Sequence, residues 1–470
     1  MKTFFNIIFL GVATCILLPS CSDEFLEQTP EQSLSVDNAV VDLISLTAAV
    51  NGVYSNMQDA NVYGWDLPLI PDLRADNVYV SQQNAGRFID FGDFELTDQS
   101  GRPEDEWTDM YEIIVNTSNI INRVPAATFL PREQEGADQL LGESYALRGL
   151  TYWNLLRMFA PPYTNNGGDS PGVPITNEGT TGEIIAPSRE SVAVGYQQVI
   201  SDLITGIDLM TTNDDGRLGK SAAQGFLAKV YLYQEDWVNA ETQATFVISD
   251  DKYSLYPDSS AWFGSYGSNF GTEDLFALQN LPADNFGVNS IGGIMDQNGY
   301  GDILGTQDLY DVYSTSDYRR SAMVFGDRVD GESGVYFLSP KYPKGELGED
   351  YIKILRLSDV YLIRAEARAE TGNEDGARED LNDVASRRDI EYEDSADSGD
   401  DLIEAIILER RKELAFEGDR VFDLMRHKRT WTKFRSFEDE VISWDNDQLI
   451  NPIPRAEINV NPNITQNPGY

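Results

Sequence analysis

Apolar and polar positions run along this chain in two rhythms. In several blocks the apolar residues recur every three to four positions, as on one face of a helix. Tyr145, Ala146, Leu150, Trp153, Leu156 and Met158 give such a face between Glu143 and Phe159, and a helical stretch from Trp107 to Val124 precedes it. Ala228 to Ala240 reads as a helix, a short turn and the start of a second helix, and Ala365 to Ala377 repeats that plan. The last long helix runs from about Leu402 to Lys428. Leu402, Ile406, Leu408, Leu414, Phe416, Phe422 and Leu424 supply its buried stripe, with Glu409, Arg410, Glu413, Arg420, Asp423 and Arg426 near i+3 and i+4 spacing. Gly418 breaks it into two pieces. Elsewhere the periodicity vanishes: 161–187 is Pro, Gly, Thr and Asn, and 254–344 is rich in Gly, Asn, Ser and aromatics. Loops beyond about 15 residues in a compact protein are usually functional or disordered, and this density of rings argues against disorder. The helices therefore read as scaffold and the irregular segments as working surface. The tail from Asn451 to Tyr470, with prolines at 452, 454, 462 and 468, reads as an extended strap.

Small residues at the helix crossings let paired helices approach closely, a layout that matches tetratricopeptide units. The expected fold is mainly α, a tetratricopeptide-like helical-repeat superhelix with long loop-rich insertions. The first residues add an address. Lys2 precedes an apolar run from Phe4 to Leu18, and Leu18-Pro19-Ser20-Cys21 follows, which reads as a lipoprotein leader (1–20) leaving Cys21 as the acylated N-terminus. The run is shorter than the ~20 residues that cross a bilayer as a helix. The only cysteines are Cys15 and Cys21, so the mature chain holds no thiol pair and its stability rests on its core. Lys plus Arg total 35 against 78 Asp plus Glu, a formal charge of −43. Such a field repels phosphate backbones and anionic headgroups, which argues against nucleic acid and polybasic membrane docking, and equally against polyanionic substrates.

Chemistry is sparse. His427 is the single histidine, placed in a basic helix end where it meets terminal carbonyls, so Cys-His catalysis and histidine metal cages are excluded. Phosphate-binding glycine loops are absent. Glycoside hydrolysis needs only two carboxylates. Glu409, Glu413 and Glu417 share a helical face, yet Arg410, Arg411, Arg420 and Arg426 surround them, which favours a structural ion network. Asp296 to Asp302 faintly resembles an oxygen-ligand loop for calcium but lacks the closing Glu, so cofactors are read as none and metal stays unassigned. What remains is a binding surface. Sugars present apolar C–H faces and polar edges, matched by flat rings and planar amide, carboxylate or guanidinium groups. Tyr63, Trp65 and Asp66 supply that mixture near Arg74, Asp76 and Asn77. Trp262 and Tyr266 supply it again, followed by Phe286, Tyr300 and Tyr310. For Trp65 and Trp262 the alternative is a satellite core under a loop, and Asp76-Asn77 equally suits a turn. Trp153 and Trp237, set in helical patterns, read as core.

Several stretches together resemble the SusD/RagB family of outer-membrane glycan-binding lipoproteins from Bacteroidota. They are Cys21-Ser22-Asp23-Glu24-Phe25-Leu26, Ala146 to Phe159 with Pro171-Gly172-Val173-Pro174, Ser221 to Tyr233, Leu355 to Ala367, Glu409 to Arg420, and Ile453-Pro454, Asn461-Pro462 and Gln466 to Tyr470. The resemblance implies one SusD-like domain over 21–470, with an N-terminal part to about 250, the insertion at about 254–344 and a helical C-terminal part from about 345. It also implies rings from an N-terminal loop and from the insertion converging on the ligand, Asp23-Glu24 as a surface-export tag, and a SusC-like TonB-dependent transporter as partner. The function expected is non-catalytic capture of an oligosaccharide at the cell surface, with a neutral β-glucan such as laminarin favoured by the acidity. A peptide-binding lid and a carboxylate-pair hydrolase are the alternatives.

Overall fold

The computed structural model describes residues 39–470 except 181, 284, 329, 330, 339, 340 and 436. The leader, the lipidation expected at Cys21 and the Asp23-Glu24 tag lie outside the described residues.

Ten helices form the frame. They are α1 Leu43–Met57, α2 Gly101–Arg123, α3 Gln134–Phe159, α4 Val192–Leu209, α5 Lys220–Tyr233, α6 Trp237–Ile248, α7 Leu357–Glu370, α8 Glu374–Arg388, α9 Asp400–Glu413 and α10 Arg420–Arg426. Consecutive helices pack as pairs, α2 with α3, α3 with α4, α5 with α6 and α7 with α8, and α7 also lies along α6. The two alanine-rich motifs open these pairs in the same way. At the N-terminus of α6 the Asp236 carboxylate accepts the Asn239 N–H at 3.3 Å, and at α8 the Asn373 carbonyl accepts that of Gly376 at 3.3 Å. Each side chain satisfies one of the donors a helix start leaves orphaned.

The α3–α4 contact depends on glycine. A Cβ on Gly206 would stand 2.7 Å from the carbonyl oxygen of Gly142 and 3.2 Å from Ala146 Cβ, so the helices touch backbone to backbone. Gly206→Val should therefore force them apart and lower stability by about 3 kcal/mol, read from urea denaturation followed by circular dichroism.

The expected break in the last helix is present. Phe416 and Gly418 adopt φ of 69° and 81°, and a Cβ at Gly418 would lie 2.2 Å from the Leu67 carbonyl oxygen, so α9 and α10 are separate elements. Two readings are corrected. The tail is no pure strap, because Arg455–Val460 winds into a short helix behind Pro454. Proline is tolerated at such a start, where its missing N–H would be unpaired anyway.

The insertion, in turn, is not merely loop. It carries β2 Asp274–Leu278, β3 Ile303–Gly305, β4 Val324–Gly326 and β5 Val335–Phe337. β1 Val78–Val80, β3, β5 and β4 pair in that order as an antiparallel sheet, with Val80 opposite Ile303, Gly305 opposite Tyr336 and Phe325 opposite Tyr336. β2 pairs with β6 Ile352–Arg356, and β7 Trp431–Lys433 with β8 Glu440–Ile442. Most of these strands are three residues long, below what period-two reading detects. Trp153 is 1 % exposed and Trp237 packs partly buried against the same core. Among the described residues no helix is long and apolar enough to cross a membrane.

Candidate functional site

The N-terminal aromatic loop is folded inward. Asp59 caps the turn Ala60–Gly64, which delivers Tyr63 and Trp65 beneath the helix Asp66–Leu73. The Tyr63 hydroxyl accepts Asn154 Nδ2 of α3 at 2.7 Å. Trp65, 7 % exposed, meets the Phe88 ring edge-on at 5.6 Å, with the Arg102 guanidinium 5.2 Å from its centroid. Asn77 donates to Asp72 Oδ1 at 2.7 Å and accepts Arg411 Nε at 3.0 Å, and Asp76 accepts both Arg420 Nε and Nη2 at 2.8 Å. Trp262 is 1 % exposed, boxed by Phe263, Tyr266 and Tyr318, and the Tyr266 hydroxyl donates to Glu417 Oε1 at 3.3 Å. A ring so enclosed offers no face to a sugar. Trp65, Trp262, Tyr63, Asp66, Tyr266 and Asn77 are therefore corrected from contact surface to interior. The physical reason is that flanking Gly, Ser and Asp, read as marks of exposure, instead make the tight caps that turn these rings under.

Asp66 is buried beside a second carboxyl, Glu106 of α2. Arg102 Nη1 binds Asp66 Oδ1 at 2.8 Å, Asn451 Nδ2 donates to Glu106 Oε2 at 2.6 Å, and Asp66 Oδ2 and Glu106 Oε1 are left with no other partner. Burial, opposed by Arg102, pushes Asp66 up to about 7, and burial with the charge of Asp66 pushes Glu106 well above its ordinary value. Burial and mutual repulsion thus both favour protonation within the pair. This is not a hydrolase dyad, because both carboxyls are sealed from solvent. Its consequence is for stability. Groups whose folded values are raised stabilise below the unfolded carboxyl value of ~4 and lose that contribution as pH rises toward ~7. Glu106→Gln, which keeps a hydrogen bond to Asp66 without the second charge, should flatten the decline between pH 5 and 8, a difference on the order of 2 kcal/mol in urea midpoints.

The three glutamates form the expected ion network, with different partners. Glu413 receives Arg356 Nη1 at 2.6 Å, Arg319 Nη1 at 2.8 Å and Arg388 Nε at 3.0 Å. Glu417 receives Arg356 Nη2 at 2.9 Å and Glu409 receives Arg319 Nη1 at 2.7 Å. Of the arginines expected to surround them, Arg410 binds Asp359 and Asp423, Arg411 and Arg420 bind Asp76, and Arg426 binds Glu366. His427 Nε2 lies 3.1 Å from Glu366 Oε1. Among the described residues no group of three or more His, Cys, Asp or Glu is placed to hold a metal ion, and Asp302 takes Arg87 Nε at 2.5 Å.

Three of the expected rings do reach the surface, Tyr300, Tyr310 and Phe286, the last 40 % exposed. Tyr300 is half-buried with the Arg87 guanidinium 3.7 Å over its ring, its hydroxyl donating to Asn289 Oδ1 at 2.9 Å and its carbonyl accepting Arg328 Nη2 at 3.2 Å. Tyr310, also half-buried, stacks on Tyr336 at 4.5 Å and 28°, with the Arg320 guanidinium 4.2 Å from its centroid. Phe325 leans on Tyr336 at 5.1 Å and is 62 % exposed on the edge strand β4. Phe325 and Tyr336 lie on the β1-β3-β5-β4 sheet, Tyr310 stacks on them from the short helix Gln307–Val312, and Tyr300 lies in the segment before β3. Sequence reasoning missed Phe325, although it shares the mark used for Trp262, a ring beside glycine in the insertion. It also missed Arg320, ten residues beyond Tyr310, and Arg87 and Arg328, whose roles depend on contacts distant in sequence.

A family model described as "Starch-binding associating with outer membrane" matches 24–232, and the model of the SusD family matches 333–470. The chain belongs to the SusD/RagB family. SusD-like protein P2 of Formosa agariphila is 25 % identical over 98 % of both chains. A SusD superfamily crystal structure from Bacteroides vulgatus superposes with a TM-score of 0.85 at 28 % identity, covering 92 % of this chain and 99 % of that one. A crystal structure titled a putative sugar binding protein, from the same species, gives 0.83 at 28 % identity over 92 % and 100 %. The SusD-family fold thus accounts for the mainly helical frame.

Proposed function

We propose that this protein is a non-catalytic glycan-binding lipoprotein of the outer membrane. It captures an oligosaccharide on the Tyr310–Phe325 aromatic face, with Tyr300 of the same insertion as a further ring, and passes it to a SusC-like TonB-dependent transporter. The observation that carries the reading is the contiguous Tyr310–Tyr336–Phe325 set, partly exposed at the edge of the β1-β3-β5-β4 sheet with the Arg320 guanidinium beside it. Rings stack on the apolar faces of sugars and planar donors take the hydroxyl edges. The starch-binding description of the matching family and the sugar-binding title of a structural relative support the same class. The leader ending at Cys21 supports anchoring at the cell surface by lipid.

A neutral β-glucan such as laminarin is the proposed ligand class. The formal charge of −43 opposes a polyanionic chain, and the guanidinium over Tyr300 is already neutralised by Asp302. Affinity electrophoresis of the mature protein against a polysaccharide panel tests this. Retardation by laminarin and not by a polyuronate is the expected result, with no reducing ends released. Tight binding of a polyuronate would overturn the ligand class. Release of reducing ends would overturn the non-catalytic reading, and no response to any polysaccharide, with peptide bound instead, would overturn the glycan reading.

A further inference from the structure

A cleft of about 360 Å³ opens where α9 and α10 meet β7. Its inner wall is Asp76, Arg411 and Arg420, all about nine-tenths buried. These side chains are fixed by each other and by their surroundings. Arg420 grips Asp76 through Nε and Nη2 at 2.8 Å each, while Arg411 donates through Nη2 to Asp308 at 2.6 Å and through Nε to Asn77 at 3.0 Å. Neither arginine's Nη1 amine has a hydrogen-bond partner among the described residues. At the rim Glu404 and Arg429 pair, both partly exposed. Ile407, Leu424 and Trp431 add apolar surface.

We infer that this cleft is a second saccharide site, sized for a neutral mono- or disaccharide and separate from the aromatic face. Its volume lies in the range of small-ligand pockets. Its lining sets three arginines against three carboxylates, so it is locally neutral in a chain of formal charge −43. A cation or an anion would gain little there. A sugar hydroxyl donates and accepts at once, and this wall presents guanidinium donors and carboxylate acceptors side by side at fixed positions. Little side-chain order is lost on binding, since the ion pairs already hold the geometry. The apolar patches suit the C–H face of a pyranose. The short helix Gln307–Val312 carries both Asp308 at this cleft and Tyr310 at the aromatic face, and so stands between the two sites.

The inference rests on the glycan reading for its class of ligand. Its test fills the cleft from exposed positions, leaving the buried ion pairs intact. Thr432→Trp and Leu408→Trp, each checked for an unchanged thermal midpoint, are titrated calorimetrically with laminaribiose, cellobiose and maltose beside the wild-type mature protein. At least one disaccharide is expected to bind the wild type, with affinity weakened at least about tenfold in both variants and laminarin retardation in gels unchanged. Tyr300→Ala with Phe325→Ala should do the reverse. Disaccharide binding unaffected by either tryptophan, or no disaccharide binding at all, would overturn the second site while laminarin retention alone sustains the first. Tryptophan-sensitive disaccharide binding without retention by any polysaccharide would sustain the cleft and overturn the aromatic face.

Discussion

Glu413→Ala is expected to destabilise the protein by about 4 kcal/mol, the range for removing one partner from a buried ion network. Glu413 ends α9 with no exposed surface, and the guanidiniums of Arg319, Arg356 and Arg388 converge on its two oxygens. Arg356 also reaches Glu273, the residue before β2, at 3.2 Å, and Arg388 reaches the same carboxylate at 2.6 Å, so the start of β2, β6, α8 and α9 are joined through one cluster. Removing the central anion leaves three buried guanidiniums sharing only the outer carboxylates Glu273, Glu409, Glu417 and Asp317. Burial alone would raise Glu413, but Arg388, Arg356 and Arg319 overrule it and hold the group well below its ordinary value. A depressed folded value contributes stability above the unfolded carboxyl value of ~4.5, lost only as pH falls through the folded one. The deficit of the variant in urea denaturation should thus be constant between pH 5 and 8 and narrow in strong acid.

Trp262→Ala is expected to cost about 4 kcal/mol of stability, as large-to-small changes of buried aromatics do, while leaving glycan affinity of the folded protein unchanged. The ring packs at 4.8 Å from both Phe263 and Tyr266 and 5.7 Å from Tyr318, with Lys341 Nζ 5.7 Å from its centroid. Its loss opens a cavity beside the buried Lys341–Glu417 pair. Denaturation and gel retardation, measured on the same preparation, separate the two effects. A ligand platform would show the opposite pattern, with affinity lost and stability kept.

The frame was legible in sequence because helical periodicity is local. Ala228 to Ala240 and Ala365 to Ala377 disclosed two helix pairs, and Gly418 disclosed the break before α10, each from residues within a few turns. The site was less legible, because exposure is a tertiary property. Trp65 and Trp262 carry the same flanking residues as a solvent loop, yet Asp59 and Asp258 cap short turns that bury them. Tyr300 and Tyr310 were found from ring density in the insertion. The guanidiniums beside them come from positions such as Arg87, more than 200 residues away in sequence, and no local pattern connects them. The partners of Glu413 escaped for the same reason. Arg410, Arg411, Arg420 and Arg426 are near in sequence, whereas Arg319, Arg356 and Arg388 are brought in by the fold.

Affinity electrophoresis in laminarin gels, comparing wild type with Tyr300→Ala, Phe325→Ala and the double variant, tests the assignment of the binding face most directly. Retardation in the wild type, weakened by each single change and abolished in the double variant at an unchanged thermal midpoint, is the predicted result. Equal retardation of the double variant and the wild type would contradict it.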